Sequence, residues 1–336
     1  MTKAGESSKG ILIIPLEISV LHPALTPLIN PPTDVGRDLE DLRPEGTIEE
    51  AREAFHAEVA ALDAMAIMPL PDVNIAEAEI PVEGGTISCR VYHPHALKSD
   101  MAAPAVLYLH GGGWIFGNLE THDDICRMLA HHTPCVIVSV AYRLAPGVHF
   151  PVPLEDSLAA YCWLRDKAAE LSIDNSRIAV AGDSAGANLA FGVSRLATRA
   201  GIEPPRFQLL LYPVCDLIAL TTSRKRYARG YWLDSLDFQI SCYIGSEADR
   251  NDPRASPRLA RDLHIMPPTR IVTAGYDPLC DEGIALAEQL QNAGVITERV
   301  HFPQYIHGFA SLRGLLPEVD DVLREQAAAL SRWLAA

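Results

Sequence analysis

No stretch of the 336 residues is apolar for long enough to cross a membrane. The most apolar early run, Ile11 to Val20, is interrupted by Pro15 and Glu17, whereas a spanning helix needs about 20 apolar residues. The broken run and the lack of a small-residue cleavage site close behind it also argue against a secretory leader, despite Lys3 and Lys9. A cytoplasmic location without stable membrane insertion is therefore expected. Positive charge is scarce: 28 Lys and Arg face 43 Asp and Glu, a formal net charge of −15 at pH 7. A broad nucleic-acid footprint requires a basic surface, so no nucleic-acid partner is expected. The seven cysteines (89, 126, 135, 162, 215, 242 and 280) contain no Cys-x-x-Cys pair. That excludes a zinc ribbon and a disulfide framework, and leaves reduced, mostly buried thiols. The chain also lacks H-E-x-x-H spacing, a Gly-Lys-Ser/Thr phosphate loop and a dinucleotide fingerprint. Neither a metal nor a cofactor is expected.

With 48% hydrophobic and 21% charged residues, the chain has the composition of a folded globular protein. Its first 70 residues stand apart, with 5 basic against 12 acidic residues. Pro23, Pro27, Pro31 and Pro32 lead to a helix starting near Thr47, where Glu50 completes a capping box. Ile48, Phe55, Val59, Leu62 and Met65 recur at helical spacing, so the helix needs a surface on which to rest its apolar face.

From about residue 76, strands alternate with helices. Ala78–Val82 and Ile87–Tyr92 read as a hairpin through Gly84-Gly85. Ala105–His110, Val136–Tyr142, Ile178–Gly182, Phe207–Tyr212, Arg270–Gly275 and Thr297–Phe302 read as further strands. Helices are expected over Leu154–Lys167, Ala185–Ala200, Asp281–Asn292 and Glu318–Ala335. This alternation predicts an α/β fold whose mostly parallel central sheet is covered by helices on both faces. The interval 215–265 has no obvious strand and reads as an insertion over one end of the sheet.

Two motifs carry chemistry. Gly182-Asp183-Ser184-Ala185-Gly186 lies between an expected strand and an expected helix. A serine on so tight a turn is pushed out at the sheet edge, and the flanking glycines relieve the crowding. His110-Gly111-Gly112-Gly113-Trp114 follows another strand. Consecutive glycines let backbone N–H groups point into a cavity, where they can stabilise an oxyanion. His110 itself is read as an anchor of that loop.

A serine nucleophile needs a base and an orienting acid from the ends of later strands. Asp277 stands at a strand end; Asp281 is read as a cap of the next helix and Glu282 as a favourable charge at its N-terminus. His307 lies in the loop after the last strand, whereas His301 falls inside it. Ser184, Asp277 and His307 give the chain order of an α/β-hydrolase triad. Arg224, Lys225, Arg226 and Arg229 are read as a solvated loop of the insertion. Tyr231, Trp232, Phe238 and Tyr243 either line an apolar pocket or pack among the insertion's helices.

The chain resembles the hormone-sensitive-lipase-like esterases, the microbial family IV branch of the α/β-hydrolases. The resemblance rests on HGGGW at 110–114, YRLAP at 142–146, GDSAGAN at 182–188, DPLCDEG at 277–283 and HGF at 307–309. It implies Ser184 as nucleophile, Asp277 as acid, His307 as base, and oxyanion donors at Gly112, Gly113 and Ala185. It further implies a helical cap, formed by the N-terminal segment 1–75 and by an insertion at about 215–265 within a catalytic domain 76–336. The chain departs from the family at Gly147-Val148-His149, where Glu often follows YRLAP, and at Cys280, where a basic residue is common. The expected activity is a serine carboxylesterase acting on small-molecule esters of short to medium acyl chains. A lactone, amide or carbamate hydrolase would use the same triad. A non-catalytic small-molecule receptor on this fold is disfavoured by the presence of His307. The oligomeric state is left open, a homodimer included.

Overall fold

The computed structural model describes residues 20–30, 46–94 and 102–335. Nearly all of the apolar run 11–20, the Pro31-Pro32 pair and much of the segment 1–75 lie outside the described residues.

The sheet is built from β1 (Asn74–Val82), β2 (Gly85–His93), β3 (Ala103–Leu109), β4 (Val136–Val140), β5 (Ile173–Asp183), β6 (Phe207–Leu211), β7 (Thr269–Tyr276) and β8 (Thr297–Ile306). Their spatial order is β1-β2-β4-β3-β5-β6-β7-β8. β1 pairs antiparallel with β2 and β2 with β4, and every later pairing is parallel. β3, β4 and β6 are buried along their whole length, as strands covered on both faces must be.

One face packs under α3 (Val152–Asp166), α4 (Ala185–Arg199) and α7 (Cys280–Asn292), through Leu154, Tyr161, Phe191, Leu286 and Leu290. The other packs under α2 (Asp123–His132) and α8 (Val319–Trp333), through Ile125, Leu129, Leu323 and Leu330. Among the described residues no helix is long and apolar enough to cross a membrane.

Several boundaries differ from the sequence expectation. α2 was not anticipated; Ile125, Met128 and Leu129 give it a buried stripe too short to stand out, although Asp123 and Asp124 in its first turn and His131 and His132 in its last suit the helix dipole. β8 runs on past Phe302 through Pro303 to Ile306. Proline is tolerated there because β8 is an edge strand with no neighbour on one side.

α1 (Ile48–Asp63) has the expected capping box: Glu50 N–H donates to Thr47 Oγ1, and the Glu50 carboxylate accepts from Thr47 N–H. Val59 and Leu62 are its buried residues, whereas Met65 lies beyond the helix and is 55% exposed. The interval 215–265 contains α5 (Thr222–Tyr227), α6 (Leu236–Tyr243) and three short 3₁₀ turns, with no strand.

Candidate active site

The carboxyl ends of β3, β5, β7 and β8 open on one edge of the sheet, the place where ligands meet an open parallel sheet. Ser184 stands between β5 and α4 with φ 53° and ψ −118°, a strained backbone for a non-glycine residue. Glycine is needed beside it. A Cβ on Gly186 would lie 2.0 Å from the Leu109 carbonyl oxygen, so the turn closes against β3 only without a side chain. Ser184 N–H donates to Leu211 O at 2.8 Å, fixing the turn to β6.

His307 Nε2 lies 2.8 Å from Ser184 Oγ, and His307 Nδ1 lies 2.9 Å from Asp277 Oδ2. The second Asp277 oxygen accepts Leu279 N–H at 2.7 Å. All three side chains are buried, Asp277 completely. The Tyr212 ring packs edge-to-face with the imidazole of His307, the ring centroids 4.9 Å apart. The structure therefore brings Ser184, Asp277 and His307 into one hydrogen-bonded chain. His301 is left in mid-strand, its Nδ1 2.9 Å from Thr273 Oγ1.

The loop after β3 turns tightly. Gly112 and Gly113 have φ of 106° and 59°, and the Gly112 carbonyl accepts Phe116 N–H at 2.8 Å. A Cβ on Gly113 would lie 1.8 Å from Gln239 Oε1. Ala185 opens α4, so its N–H is among those without an acceptor inside the helix. His110 is buried beneath the loop, stacked on Tyr142 at 4.3 Å, with its Nδ1 2.8 Å from Gly111 O. Burial, with His122 nearby, lowers its pKa to about 3, so His110 is neutral.

Two carboxylates of DPLCDEG differ from the sequence reading. Asp281 does not cap its own helix, whose N-cap is Leu279. Its Oδ2 instead accepts Ser223 N–H at 2.8 Å, tying α5 to α7. Glu282 is fully buried and turned toward the loop after β6, accepting Cys215 N–H at 2.7 Å and Asp216 N–H at 3.3 Å. Burial pushes its pKa up to about 8, so it is not simply a favourable charge at a helix end. Arg224 is likewise no solvated residue. It is 4% exposed and donates to Asp216 O and to Asp237 Oδ1, while Lys225 and Arg226 are exposed. The basic stretch is in part the short helix α5 rather than a loop.

The aromatic residues divide. Trp232 lines the cavity over Ser184. Tyr243 stacks on Trp114 at 4.0 Å, with ring planes 2° apart. Tyr231 packs on Tyr227 and Tyr276, and Phe238 packs against the small cluster around Ile115 and Phe116.

The cavity has a volume of about 370 Å³ and reaches Gly112, Gly113, Ser184 and His307. Its walls come from α1 (Phe55, Val59, Leu62) and from the insertion (Trp232, Leu233, Gln239). Arg52 fastens α1 to the glycine loop, donating to Ile115 O and Ala145 O at 2.8 Å each. Sequence reading missed Arg52 because an arginine within a polar helix face carries no signal of its own. Among the described residues, no group of three or more His, Cys, Asp or Glu converges as a metal site.

Comparison with known proteins places these features. Residues 106–311 match the family described as having the α/β-hydrolase fold. The chain is 35% identical over 308 residues to an ethyl acetate hydrolase from Pseudomonas putida, covering 90% of this chain and 96% of that protein. It is 38% identical over 274 residues to a carboxylesterase from Mycobacterium tuberculosis, covering 80% and 85%. Among solved structures, a hyperthermophilic esterase from the archaeon Pyrobaculum calidifontis superposes with a TM-score of 0.84 at 36% identity, covering 94% of this chain and all of that one.

Proposed function

This chain is a serine carboxylesterase of the hormone-sensitive-lipase-like family within the α/β-hydrolases, and from that premise we propose that Ser184, His307 and Asp277 perform the reaction. The observation that carries the assignment is the continuous chain Ser184 Oγ–His307 Nε2, His307 Nδ1–Asp277 Oδ2, at 2.8 and 2.9 Å, opening on the cavity. His307 Nε2 takes the proton of Ser184 Oγ as that oxygen bonds to the ester carbonyl carbon. The carbonyl oxygen becomes an oxyanion, accepting from the N–H groups of Gly112, Gly113 and Ala185. Asp277 holds the imidazolium in place. Collapse breaks the carbon–oxygen bond to the alcohol, which leaves with the proton from Nε2. Water then loses a proton to His307 as it attacks the acyl-serine carbonyl; the carbon–Oγ bond breaks, Ser184 Oγ takes the proton back from Nε2, and the acid is released.

The substrates are small-molecule esters of short to medium acyl chains. Support comes from the cavity of about 370 Å³, which holds a small ester rather than a long lipid, and from the name of the Pseudomonas putida relative, ethyl acetate hydrolase. The segment 1–75 and the insertion at about 215–265 act as a cap over the catalytic domain 76–336, supported by the cavity walls that described residues of each supply, among them Leu28, Phe55 and Val59 on one side and Trp232 and Leu233 on the other. A cytoplasmic location belongs to the same reading, consistent with free thiols at all seven cysteines.

A series of p-nitrophenyl esters from acetate to palmitate, assayed beside lactones, carbamates and anilides, tests the substrate class. The expected optimum lies at short to medium acyl length. An optimum at palmitate, or faster turnover of a lactone, carbamate or anilide than of every ester, contradicts it.

A further inference from the structure

Asp183 and His122 lie outside the triad, yet both reach the cavity that holds Ser184. Each is 4% exposed. Asp183 Oδ1 accepts Tyr108 O–H at 2.8 Å and Gly111 N–H at 2.9 Å; Gly111 N also lies 3.2 Å from His122 Nε2, which shares that hydrogen when unprotonated and leaves it to Asp183 alone when protonated. His122 Nε2 lies 3.3 Å from Asp183 Oδ1 and 3.4 Å from Oδ2, and His122 Nδ1 lies 2.9 Å from Thr121 Oγ1. The approach is close: a Cβ on Gly111 would sit 2.3 Å from Asp183 Oδ2. One carboxylate thus ties the residue before the nucleophile to the residue before Gly112.

We propose that Asp183 and His122 form a buried positioning pair for the oxyanion hole, Asp183 anchoring the glycine loop through Gly111 and His122 neutralising the carboxylate beside the nucleophile. The inference rests on the oxyanion assignment made above. The need for both members follows from electrostatics. A carboxylate next in sequence to Ser184, in a site shielded from water, opposes the negative charge that develops on the substrate oxygen. An imidazolium beside it cancels that field while leaving the acceptor in place. Burial disfavours a charged His122, but the charge and hydrogen bond of Asp183 outweigh burial and raise its pKa. Burial likewise works to raise the pKa of Asp183, and His122, with Tyr108 donating, holds it below the ordinary value. The other ionisable groups facing the pair are His110, neutral as shown above, Asp124, which favours a charged His122, Asp63, whose carboxyl His122 also influences, and the Cys126 thiol and the phenols of Tyr142 and Tyr212, whose pKa values burial raises.

The test is a double-mutant cycle on the full-length enzyme, read by kcat and KM on p-nitrophenyl butyrate and by the Ki of an aryl trifluoromethyl ketone. That inhibitor forms a hemiketal oxyanion with the serine, so its affinity reports the hole directly. His122→Gln keeps an N–H near the carboxylate but removes the charge. A kcat at least tenfold lower, KM within twofold and a Ki raised in step are expected. Asp183→Asn keeps an acceptor for Gly111 and needs no counter-charge, so His122→Gln/Asp183→Asn is expected to recover at least threefold of the kcat lost in His122→Gln. Asp183→Ala, which removes the acceptor, is expected to lower kcat at least a hundredfold with the same rise in Ki. Losses that multiply in the double variant overturn the neutralising role, because they mark two independent structural defects. An Asp183→Ala enzyme within threefold of wild type overturns the anchor. Should His122→Gln fail to fold, Asp183→Asn and Asp183→Ala decide alone: equal kcat losses in both, with an unchanged ratio of Ki to KM, overturn the proposal. Loss of all fluorophosphonate labelling at Ser184 in the wild type would instead strike the triad assignment on which it rests.

Discussion

Replacing Asp277 by asparagine alters one atom in a completely buried side chain, and the surrounding geometry sets its consequence. Both carboxylate oxygens face N–H donors, His307 Nδ1–H at 2.9 Å and Leu279 N–H at 2.7 Å. An asparagine has one carbonyl oxygen to offer to two donors. Facing the oxygen to His307 would press the amide NH₂ against Leu279 N–H and leave a buried donor unsatisfied, at about 1–3 kcal/mol. The flipped amide avoids this: its oxygen accepts from Leu279, and its NH₂ donates to His307 Nδ1. That choice is favoured roughly 5- to 150-fold, and it forces the imidazole proton onto Nε2, the atom that must receive the serine proton. The imidazolium formed in the reaction also loses its neighbouring charge. Together these predict a fall in kcat of about 10³- to 10⁴-fold with an intact fold. Asp281→Asn is the control, because an asparagine oxygen can still accept Ser223 N–H; its kcat is expected to stay within twofold, with a stability loss below about 1 kcal/mol. The assay is steady-state turnover of p-nitrophenyl butyrate, with circular dichroism and thermal melting as checks on folding. A folded Asp277→Asn enzyme within tenfold of wild type would refute the reasoning, and an inactive Asp281→Asn beside it would move the acid to Asp281.

Two further outcomes follow from burial. Glu282 has a pKa raised from 4.5 to about 8 in the folded state; between those values the folded chain binds the extra proton, so stability falls as pH rises across that window, by up to about 1.4 kcal/mol per pH unit. Glu282→Gln, which keeps an acceptor for Cys215 and Asp216, is expected to flatten urea-denaturation free energies measured from pH 5 to 8, and an undiminished slope would assign the effect to other groups. Polar substitution at Phe55, stacked on Phe116 at 5.3 Å, or at Leu62 is expected to reduce the gain in kcat/KM with each added acyl methylene below the roughly fourfold that about 0.8 kcal/mol implies. Met65→Ser, at an exposed position, is expected to leave that profile unchanged; an unchanged profile in all three would make α1 a brace rather than a wall of the pocket.

Much of the architecture was legible because its signals are local. Short apolar runs alternating with helical patterns marked the strands, and the Thr47–Glu50 capping box marked the start of α1. The residues brought together at Ser184 were legible by their order and their places at strand ends. Other features depend on contacts between distant segments. Asp183 reads as a variable letter inside a serine motif, and its meeting with Tyr108, Gly111 and His122 exists only after β3 and β5 pair. Glu282 carries helix-end chemistry in sequence, yet the fold turns it toward backbone N–H groups after β6. Arg224 reads as solvated until Asp237 and the Asp216 carbonyl meet it. Burial of a polar group is decided by tertiary packing, which periodicity does not report.

The nucleophile is the central claim, and covalent labelling tests it most directly. The native enzyme, treated with a fluorophosphonate and analysed by intact mass and peptide mapping, is expected to gain one adduct, at Ser184. Ser184→Ala, whose lost hydroxyl is the atom 2.8 Å from His307 Nε2, is expected to take up no adduct and to lose ester turnover while melting within a few degrees of wild type. Labelling at another residue, or wild-type turnover in the folded alanine variant, would contradict the account.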